Sequence, residues 1–363
     1  MNATGQKTIL ASPLEWGLGH TVRLVPLIEA ALSQGCRVIL ASDGRSLNFL
    51  RNRFPDLPWV RMPFYPIRYP DDSRFFRKLM PQVPGILRTI HQNRKQLAGL
   101  VREWCVDLII SDHRYGMTYP GVTSVFITNQ LWLKAPKGLG WTEPLVYRLH
   151  VWYLRKFTHI WLPDLPGCPN ISGIQTHPPG MPRRAEYVGL ISRFGNMDPV
   201  PPREQEPFDI LGLLSGPEPQ RSMLERILID QSNDSGIRTV ILRGLPPDDP
   251  FSGPDEETIG SVRLISHLPD PQLLWYVKQA GRIICRPGNS TVSDLISLGK
   301  TALLVPTPGQ TEQEYVAEHL AAQGWFEVCR QEDLGRESKA KGRRQKAEGK
   351  EKGKRKKEKV IYV

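Results

Sequence analysis

Short apolar runs alternate with longer amphipathic stretches along most of this chain, and this alternation limits the fold more than any other feature. The first series begins with a predicted strand at 8–11, a predicted helix at 20–34 and a second strand at 36–41. A second series begins near Phe208 with a strand that ends at Leu214. Strands that alternate with helices form parallel sheets covered by helices. The pattern therefore predicts an α/β protein in which two Rossmann-like domains face each other across a cleft.

The predicted domains are separated by a Pro-rich, weakly patterned stretch at 192–207, which suits a linker. We predict an N-terminal domain at 1–191 and a C-terminal domain at 208–334. Within the final stretch, 335–363, residues 335–359 contain thirteen basic and four acidic residues and almost no apolar ones. Such a segment cannot bury enough surface to fold alone, so it is predicted to be a disordered tail.

The overall charge and the cysteines exclude several classes of function. The net charge is +11, but the tail accounts for all except about +2 of it, so no specific nucleic-acid partner is expected. The five cysteines are scattered and form no Cys-x-x-Cys pair, which argues against a zinc site or a disulfide framework. There is no apolar run of membrane-spanning length and no secretion signal at the start, so we expect a cytoplasmic protein.

The stretch that begins at Cys285 has the features of an anion site. A predicted strand ends at Cys285, and Gly288 is expected to let the backbone turn tightly before the next helix. Asn289, Ser290 and Thr291 then lie at the helix N-terminus, where unpaired N–H groups and the helix dipole favour a phosphate.

Two further features extend this predicted site. Asp294 lies one helical turn after Thr291, so its carboxylate is placed to accept hydrogen bonds from ribose hydroxyls. A second loop, 306–313, again joins a strand end to a helix start. Both loops should open at the carboxyl edge of one sheet.

This region closely resembles the C-terminal domain of family 28 glycosyltransferases, the group that contains the bacterial transferase of N-acetylglucosamine to the lipid-linked peptidoglycan precursor. The residues that match the family pattern in type and spacing are Arg286, Gly288, Thr291, Gly299, Pro306 and Gln313. Two positions depart from it. Asp294 stands where the family has a ribose-binding Glu, and Thr301 stands where it has a Pro.

The resemblance implies a fold of the GT-B type and a site for a nucleotide sugar, most simply a UDP-sugar. Three weaker matches add to it: a Gly-x-x-x-Arg ending at Arg193, the strand end 214–218, and the loop 267–270 where the family binds the base. The implied donor-binding residues are Arg193, Ser215, Gly216, Leu268, Arg286, Gly288, Asn289, Ser290, Thr291, Asp294, Gln310 and Gln313.

The turn Trp16–His20 near the N-terminus also resembles this group. A histidine at a helix start beside a glycine turn is well placed to act as a general base, so His20 is the predicted catalytic residue; the alternative is that it only caps the helix. The predicted acceptor-side residues are Gly17, Gly19, Asp112 and Gln130. For Asp112, which follows an apolar strand, a purely structural role at the strand end is an equal alternative.

A third feature is the segment Glu143–Phe157, in which aromatic and basic residues alternate at helical spacing. It suits contact with an anionic membrane surface, as a lipid-linked acceptor would require. The interpretation we prefer from sequence is a helix that faces the core and carries a basic outer face.

Together these features predict a cytoplasmic glycosyltransferase, peripheral to the inner face of the cell membrane if its acceptor is lipid-linked. It would move a hexose or N-acetylhexosamine from a UDP-sugar to a hydroxyl acceptor. No Asp-x-Asp motif is present, so no metal and no cofactor are expected. Two alternatives stay open: a sugar-nucleotide epimerase of the same fold, and a non-catalytic protein that retains only the donor pocket.

Overall fold

A computed structural model describes residues 5–15, 18–65, 80–135, 138–195, 197–216, 218–245 and 254–334. Within them the chain divides into two compact units. The first contains the described residues up to Met197 together with Pro287–Lys300 and Gly309–Gly324. The second contains Asp198–Arg286, Thr301–Pro308 and the described residues from Trp325 onward.

The regular elements are numbered in chain order. The strands are β1 Thr8–Pro13, β2 Arg37–Ser42, β3 Trp59–Arg61, β4 Leu108–Asp112, β5 Thr123–Ile127, β6 His159–Leu162, β7 Ala185–Tyr187, β8 Ile210–Leu213, β9 Thr239–Leu242, β10 Glu256–Ile259, β11 Val262–Ile265, β12 Arg282–Cys285, β13 Leu303–Leu304 and β14 Glu327–Val328. The α-helices are α1 Leu18–Ser33, α2 Gly44–Arg53, α3 Val83–Trp104, α4 Glu143–Leu154, α5 Gln220–Ser235, α6 Asp270–Gln279, α7 Asn289–Ser297 and α8 Thr311–Ala322.

The first unit is built on a parallel sheet with the strand order β3-β2-β1-β4-β5-β6-β7. All six residues of β1 are buried because side chains pack on both faces of the sheet. Ile9 points into one apolar cluster with Leu24 and Ile28 of α1, whereas its neighbour Leu10 points into another with Leu97 of α3. Successive side chains of a strand point to opposite faces of the sheet, and both faces are buried here. A central strand is therefore marked in sequence by a continuous apolar run instead of an alternation of apolar and polar residues.

The second unit has a sheet with the order β10-β11-β9-β8-β12-β13-β14, in which only β10 is antiparallel to its neighbour among the described strands. Its core is formed by Ile210, Ile241, Leu264 and Ile284 from the central strands, packed against Leu224 and Leu228 of α5. The apolar side of α5 thus covers one face of the sheet.

In each sheet the strand order reverses at one place, between β1 and β4 in the first and between β8 and β12 in the second. Loops on the two sides of such a switch point diverge and leave a crevice at the carboxyl edge, where open α/β sheets bind ligands. In the first sheet Pro13 is the direct partner of Asp112, so the loops after both residues leave the sheet at the same point.

The predicted α/β class with two Rossmann-like sheets is confirmed. The elements not predicted from sequence include helix α2 and strand β10, whose sequences, GRSLNFLRNR and EETI, lack a long apolar run. Helix α3 begins at Val83, with Pro84 in the first turn, where its missing N–H costs nothing. The predicted disordered tail at 335–363 lies outside the described residues, as does Gly17. None of the helices in the described ranges is long and apolar enough to cross a bilayer.

Candidate active site

The site of interest in the first unit begins where α1 follows β1. Gly19 and His20 lie in the first turn of α1, directly after the switch point. The side chain of His20 is 17% exposed, so it is enclosed by protein but can still reach solvent or a ligand.

His20 forms a short polar contact with Asp112, the last residue of β4. Its Nδ1 lies 2.8 Å from Oδ1 of Asp112, whose side chain is completely buried. An ionised carboxylate only accepts hydrogen bonds, so Nδ1 carries the proton and Nε2 keeps its lone pair. The pair therefore has the arrangement of a general base whose orientation and tautomer are set by a buried acid.

Arg23 places a positive charge directly against this acid. It lies one turn after His20 on α1, and its Nη1 is 3.4 and 3.3 Å from the two oxygens of Asp112. Burial acts to raise the pKa of Asp112, but Arg23 and then His20 outweigh it and hold the pKa below its ordinary value. Asp112 is consequently a carboxylate at neutral pH.

His113 completes the polar cluster around His20. Its φ of 56° is left-handed, which is uncommon for a residue other than glycine and is typical of functional sites. The two imidazole rings lie 4.8 Å apart, and Nε2 of His113 is 3.3 Å from Oδ1 of Asn129. Burial, followed by the neighbouring His20, holds the pKa of His113 well below its ordinary value, so this ring is neutral.

His20, Asp112 and His113 offer one ligand atom each, all within 4.8 Å of one another. This spacing alone would suit a metal ion. However, the guanidinium of Arg23 already lies against both oxygens of Asp112, and Nδ1 of His20 is engaged by the same carboxylate. The donor set therefore fits a proton-transfer pair with a fixed cation better than a metal site.

The cluster extends to the starts of α7 and α8, which belong to the same unit. Nη2 of Arg23 donates to Oδ1 of Asn289 at 3.1 Å and to Oδ1 of Asn129 at 3.3 Å. Nδ2 of Asn129 in turn donates to Oε1 of Glu312 at 2.9 Å. The predicted base and two helix starts from the family-28-like region thus share one hydrogen-bonded network.

Helix α7 begins as predicted, with Asn289, Ser290 and Thr291 in its first turn. The hydroxyl of Ser290 donates to the backbone oxygen of Gly19 at 2.8 Å, so a predicted donor-side residue and a predicted acceptor-side residue are in direct contact. The tight turn expected at Gly288 is wrong: φ is −73° and ψ is 134°, an extended conformation that any residue can adopt.

Asp294 and Arg193 are also brought together. Oδ2 of Asp294 accepts from Nε of Arg193 at 3.1 Å, and Oδ1 accepts from Oγ of Ser192 at 2.7 Å. Burial raises the pKa of Asp294, and Arg193 opposes that shift. Two residues predicted to hold different parts of a donor therefore hold each other in this structure.

The other predicted residues of the first unit lie around the same elements. Gln310 precedes α8, and its side-chain oxygen is buried without a hydrogen-bond partner among the described residues. Gln313 is buried in the first turn of α8. Gln130 is half-buried after β5, beside Asn129.

Four predicted donor residues belong to the second unit. Ser215 and Gly216 are exposed after β8, and φ of 103° at Gly216 requires glycine. Leu268 is half-buried between β11 and α6. Arg286 is fully buried, and its guanidinium donates to backbone oxygens of Gln220 and Val305 at 2.8 and 2.9 Å.

Sequence reasoning missed Arg23 and the part played by Glu312. Arg23 stands three residues after His20, a spacing that places both on one side of a helix, and this signal would have been sufficient to include it. Glu312 carries no such signal, because its partner Asn129 is 183 positions away in sequence.

Comparisons with known proteins give one family-domain match and several similar folds. Residues 270–360 match the glycosyltransferase family 28 C-terminal domain. No curated protein matches the chain. The glycosyltransferase SsfS6 from Streptomyces sp. SF2575 has a similar structure, with a TM-score of 0.57 and 16% identity over 89% of this chain and 88% of that one.

Two further solved structures are similar. The glycotransferase of kitacinnamycin has a TM-score of 0.58 and 15% identity over 90% of this chain and 87% of that one. MurG from Acinetobacter baumannii has a TM-score of 0.51 and 16% identity over 94% of this chain and 91% of that one. Identities this low show the fold alone. The chain has the GT-B fold, and its residues 270–360 match the C-terminal domain of glycosyltransferase family 28.

Proposed function

We propose that this protein transfers a hexose or N-acetylhexosamine from a UDP-sugar to a hydroxyl group of an acceptor. The observation that carries the proposal is the pair formed by His20 and the buried Asp112, joined through Arg23 to Asn289 at the start of α7. The pair supplies a base, and the start of α7 is where the family-28 resemblance expects the donor diphosphate. The residues proposed to activate the acceptor and those proposed to bind the donor thus lie in one hydrogen-bonded network.

In the proposed reaction Nε2 of His20 takes the proton of the acceptor hydroxyl as its oxygen attacks the anomeric carbon. The bond from that carbon to the diphosphate oxygen breaks, and the electron pair leaves with the nucleoside diphosphate. The imidazolium formed on His20 is stabilised by the carboxylate of Asp112, 2.8 Å away. Backbone N–H groups at the helix start and Arg193 would stabilise the leaving charge without a metal ion.

The donor-binding set is proposed as predicted from sequence, and one detail of the structure supports it. The side-chain oxygen of Gln310 is buried and has no partner among the described residues, which is costly unless a ligand supplies one. A sugar hydroxyl is a donor of the required kind. Asp294 would accept from ribose hydroxyls, in competition with Ser192 and Arg193.

Calorimetry with UDP tests the donor site directly. We expect binding with a dissociation constant on the order of micromolar, about 8 kcal/mol of binding free energy. Asp294→Ala should weaken it about tenfold, because a charged acceptor of two hydroxyl hydrogen bonds is lost. Asp294→Glu, which restores the family's residue, should retain binding, and Asp230→Ala on the exposed side of α5 is the matched control. Absence of binding by every nucleoside diphosphate tested would contradict the proposal.

Helix α4 suggests that the acceptor is presented at a membrane. As expected from sequence, Tyr147, His150 and Leu154 face inward. The outer face, however, is not simply basic: Leu145, Leu149 and Trp152 are 60%, 59% and 59% exposed. We propose that this face contacts an anionic membrane, because Arg148 is exposed on the same helix and Nζ of Lys156 lies 5.7 Å from the Trp152 ring.

Sedimentation with phosphatidylglycerol vesicles tests this contact. The double variant Leu145→Gln/Leu149→Gln should bind the vesicles at least about tenfold more weakly than the unchanged chain, because two apolar side chains no longer enter the interface. Met223→Gln/Ile259→Gln, which changes exposed apolar residues of the second unit, should bind normally. Because all variants keep the basic tail, equal binding by both double variants would assign membrane contact to the tail and remove α4 from the proposal.

A further inference from the structure

Arg23 has a position that donor binding and proton transfer do not by themselves explain. It is 4% exposed and lies between two parts of the site. Its Nη1 faces both oxygens of Asp112 at 3.3 and 3.4 Å, and its Nη2 faces Asn129 and Asn289 at 3.3 and 3.1 Å. One planar guanidinium therefore fixes the carboxylate behind the base and the first residue of α7 at the same time.

A carboxylate as buried as Asp112 needs a permanent positive charge beside it. Without one, burial favours the protonated acid, and a protonated Asp112 no longer provides the negative charge that stabilises an imidazolium on His20. His20 cannot take the place of Arg23 in this role, because its own charge changes during the reaction. An arginine side chain, by contrast, is effectively always charged in proteins.

We propose that Arg23 is the positioning residue of this site: it keeps Asp112 ionised, holds the carboxylate against Nδ1 of His20, and ties this pair to the start of α7 through Asn289. The role of Arg23 in catalysis rests on the proposed transfer reaction. Its effect on Asp112 does not, since the ionisation of one carboxyl group can be measured in the absence of any substrate.

The other charged and titratable groups around Asp112 do not account for its ionisation. Besides Arg23, α1 contributes His20, and His113 follows Asp112 directly in the chain. His113 is neutral and donates no charge. From α8, the side chain of Glu312 accepts from Asn129 at 2.9 Å, and a carboxylate cannot supply the positive charge that Asp112 needs. Arg23 is thus the fixed cation in direct contact with Asp112 among the described residues.

Carbon-13 NMR of the full chain labelled at aspartate side chains would test the proposal, with the Asp112 signal assigned from Asp112→Asn. In the unchanged chain the signal should be that of a carboxylate at pH 7. In Arg23→Met its titration should move to higher pH by at least about one unit, a tenfold rise in proton affinity. Arg53→Met removes an arginine that pairs with Glu29 on the surface, and it should leave the Asp112 titration unchanged.

Arg23→Lys separates charge from geometry. A lysine keeps the positive charge but lacks the fork that reaches both Asp112 and Asn289. We expect the Asp112 titration of Arg23→Lys to lie between those of the unchanged chain and Arg23→Met. Arg23→Lys can therefore be used as the test variant if Arg23→Met does not fold. Where turnover is measurable, the acidic limb of the rate profile in Arg23→Met should move upward together with the NMR titration.

Each outcome has one meaning. If Asp112 remains ionised to the same pH in folded Arg23→Met or Arg23→Lys, the proposal is overturned. If the titration moves but the acidic limb of an active variant does not, Arg23 does not act through His20 and the proposal also fails. If the titration moves as expected and the unchanged chain binds no nucleoside diphosphate, the proposed transfer function fails while the role of Arg23 at Asp112 stands.

Discussion

Replacement of His20 with glutamine should lower the rate of sugar transfer about 10²- to 10⁴-fold while leaving donor binding nearly unchanged. Glutamine can keep a hydrogen bond to Asp112, but it has no basic nitrogen to accept the acceptor's proton. The imidazole it replaces has Nδ1 fixed by Asp112 at 2.8 Å, so the chemistry lost is that of Nε2. The measurement is release of UDP from the donor in the presence of an acceptor that supports turnover by the unchanged chain.

His91→Gln provides the matched control, because His91 is an exposed histidine on α3. It should retain full activity. Calorimetry with UDP on both variants separates a chemical defect from a binding defect. Equal turnover by His20→Gln and His91→Gln would mean that His20 only caps α1, the alternative left open by the sequence.

The dependence of folding stability on pH follows from the direction in which the pKa of Asp112 is shifted. Because the pKa of Asp112 is held below its ordinary value, the native state gains stability from its charge at pH values above that ordinary value. This contribution is lost as the pH falls through the lowered pKa. Loss of Arg23 raises that pKa and moves the acid-sensitive range upward.

Much of the fold could be predicted because central parallel strands are buried on both faces. Thr239–Leu242 and His159–Leu162 are short apolar runs in sequence and strands with the same bounds in the structure. Strand β10 has no such run, since it lies at the sheet edge with its residues largely exposed, so no apolar pattern marks it. Sequence pattern reports burial, and it is silent where an element is not buried.

The sequence predicted several residues of the candidate site, but not which of these residues contact each other. His20 lies after β1, and Asp112 is the last residue of β4. Their contact depends on β1 and β4 being neighbours, which the spacing of strands along the chain does not encode. The outer face of α4 shows the same limit. Residues at helical spacing reveal that two faces differ, but the contacts of the folded chain decide which of them is inward.

Arg286→Met should lower the free energy of unfolding by about 3–5 kcal/mol, the largest loss of stability that we expect from a single substitution at the predicted donor residues. The guanidinium is fully buried, and it bonds the backbone oxygens of Val305, Pro306 and Gln220 and the side chain of Gln331. Burial lowers the pKa of Arg286 to about 10, so the group is still charged at neutral pH. Methionine fills a similar volume but leaves these buried acceptors without a donor.

Arg282→Met, at the first residue of β12 and four positions before Arg286, is the control for this prediction. Arg282 pairs with Glu327 at 2.9 Å, but the two side chains are 33% and 72% exposed, and a surface pair of this kind is worth about 0–1 kcal/mol. Urea unfolding followed by circular dichroism should therefore separate the two variants clearly. If Arg286→Met proves as stable as Arg282→Met and loses UDP binding instead, Arg286 acts on the donor, as the family resemblance implies. If it is strongly destabilised, Arg286 contributes to the donor site by holding the ends of β8, β12 and β13 and the loops after them together, because its partners lie on the segments that follow these strands.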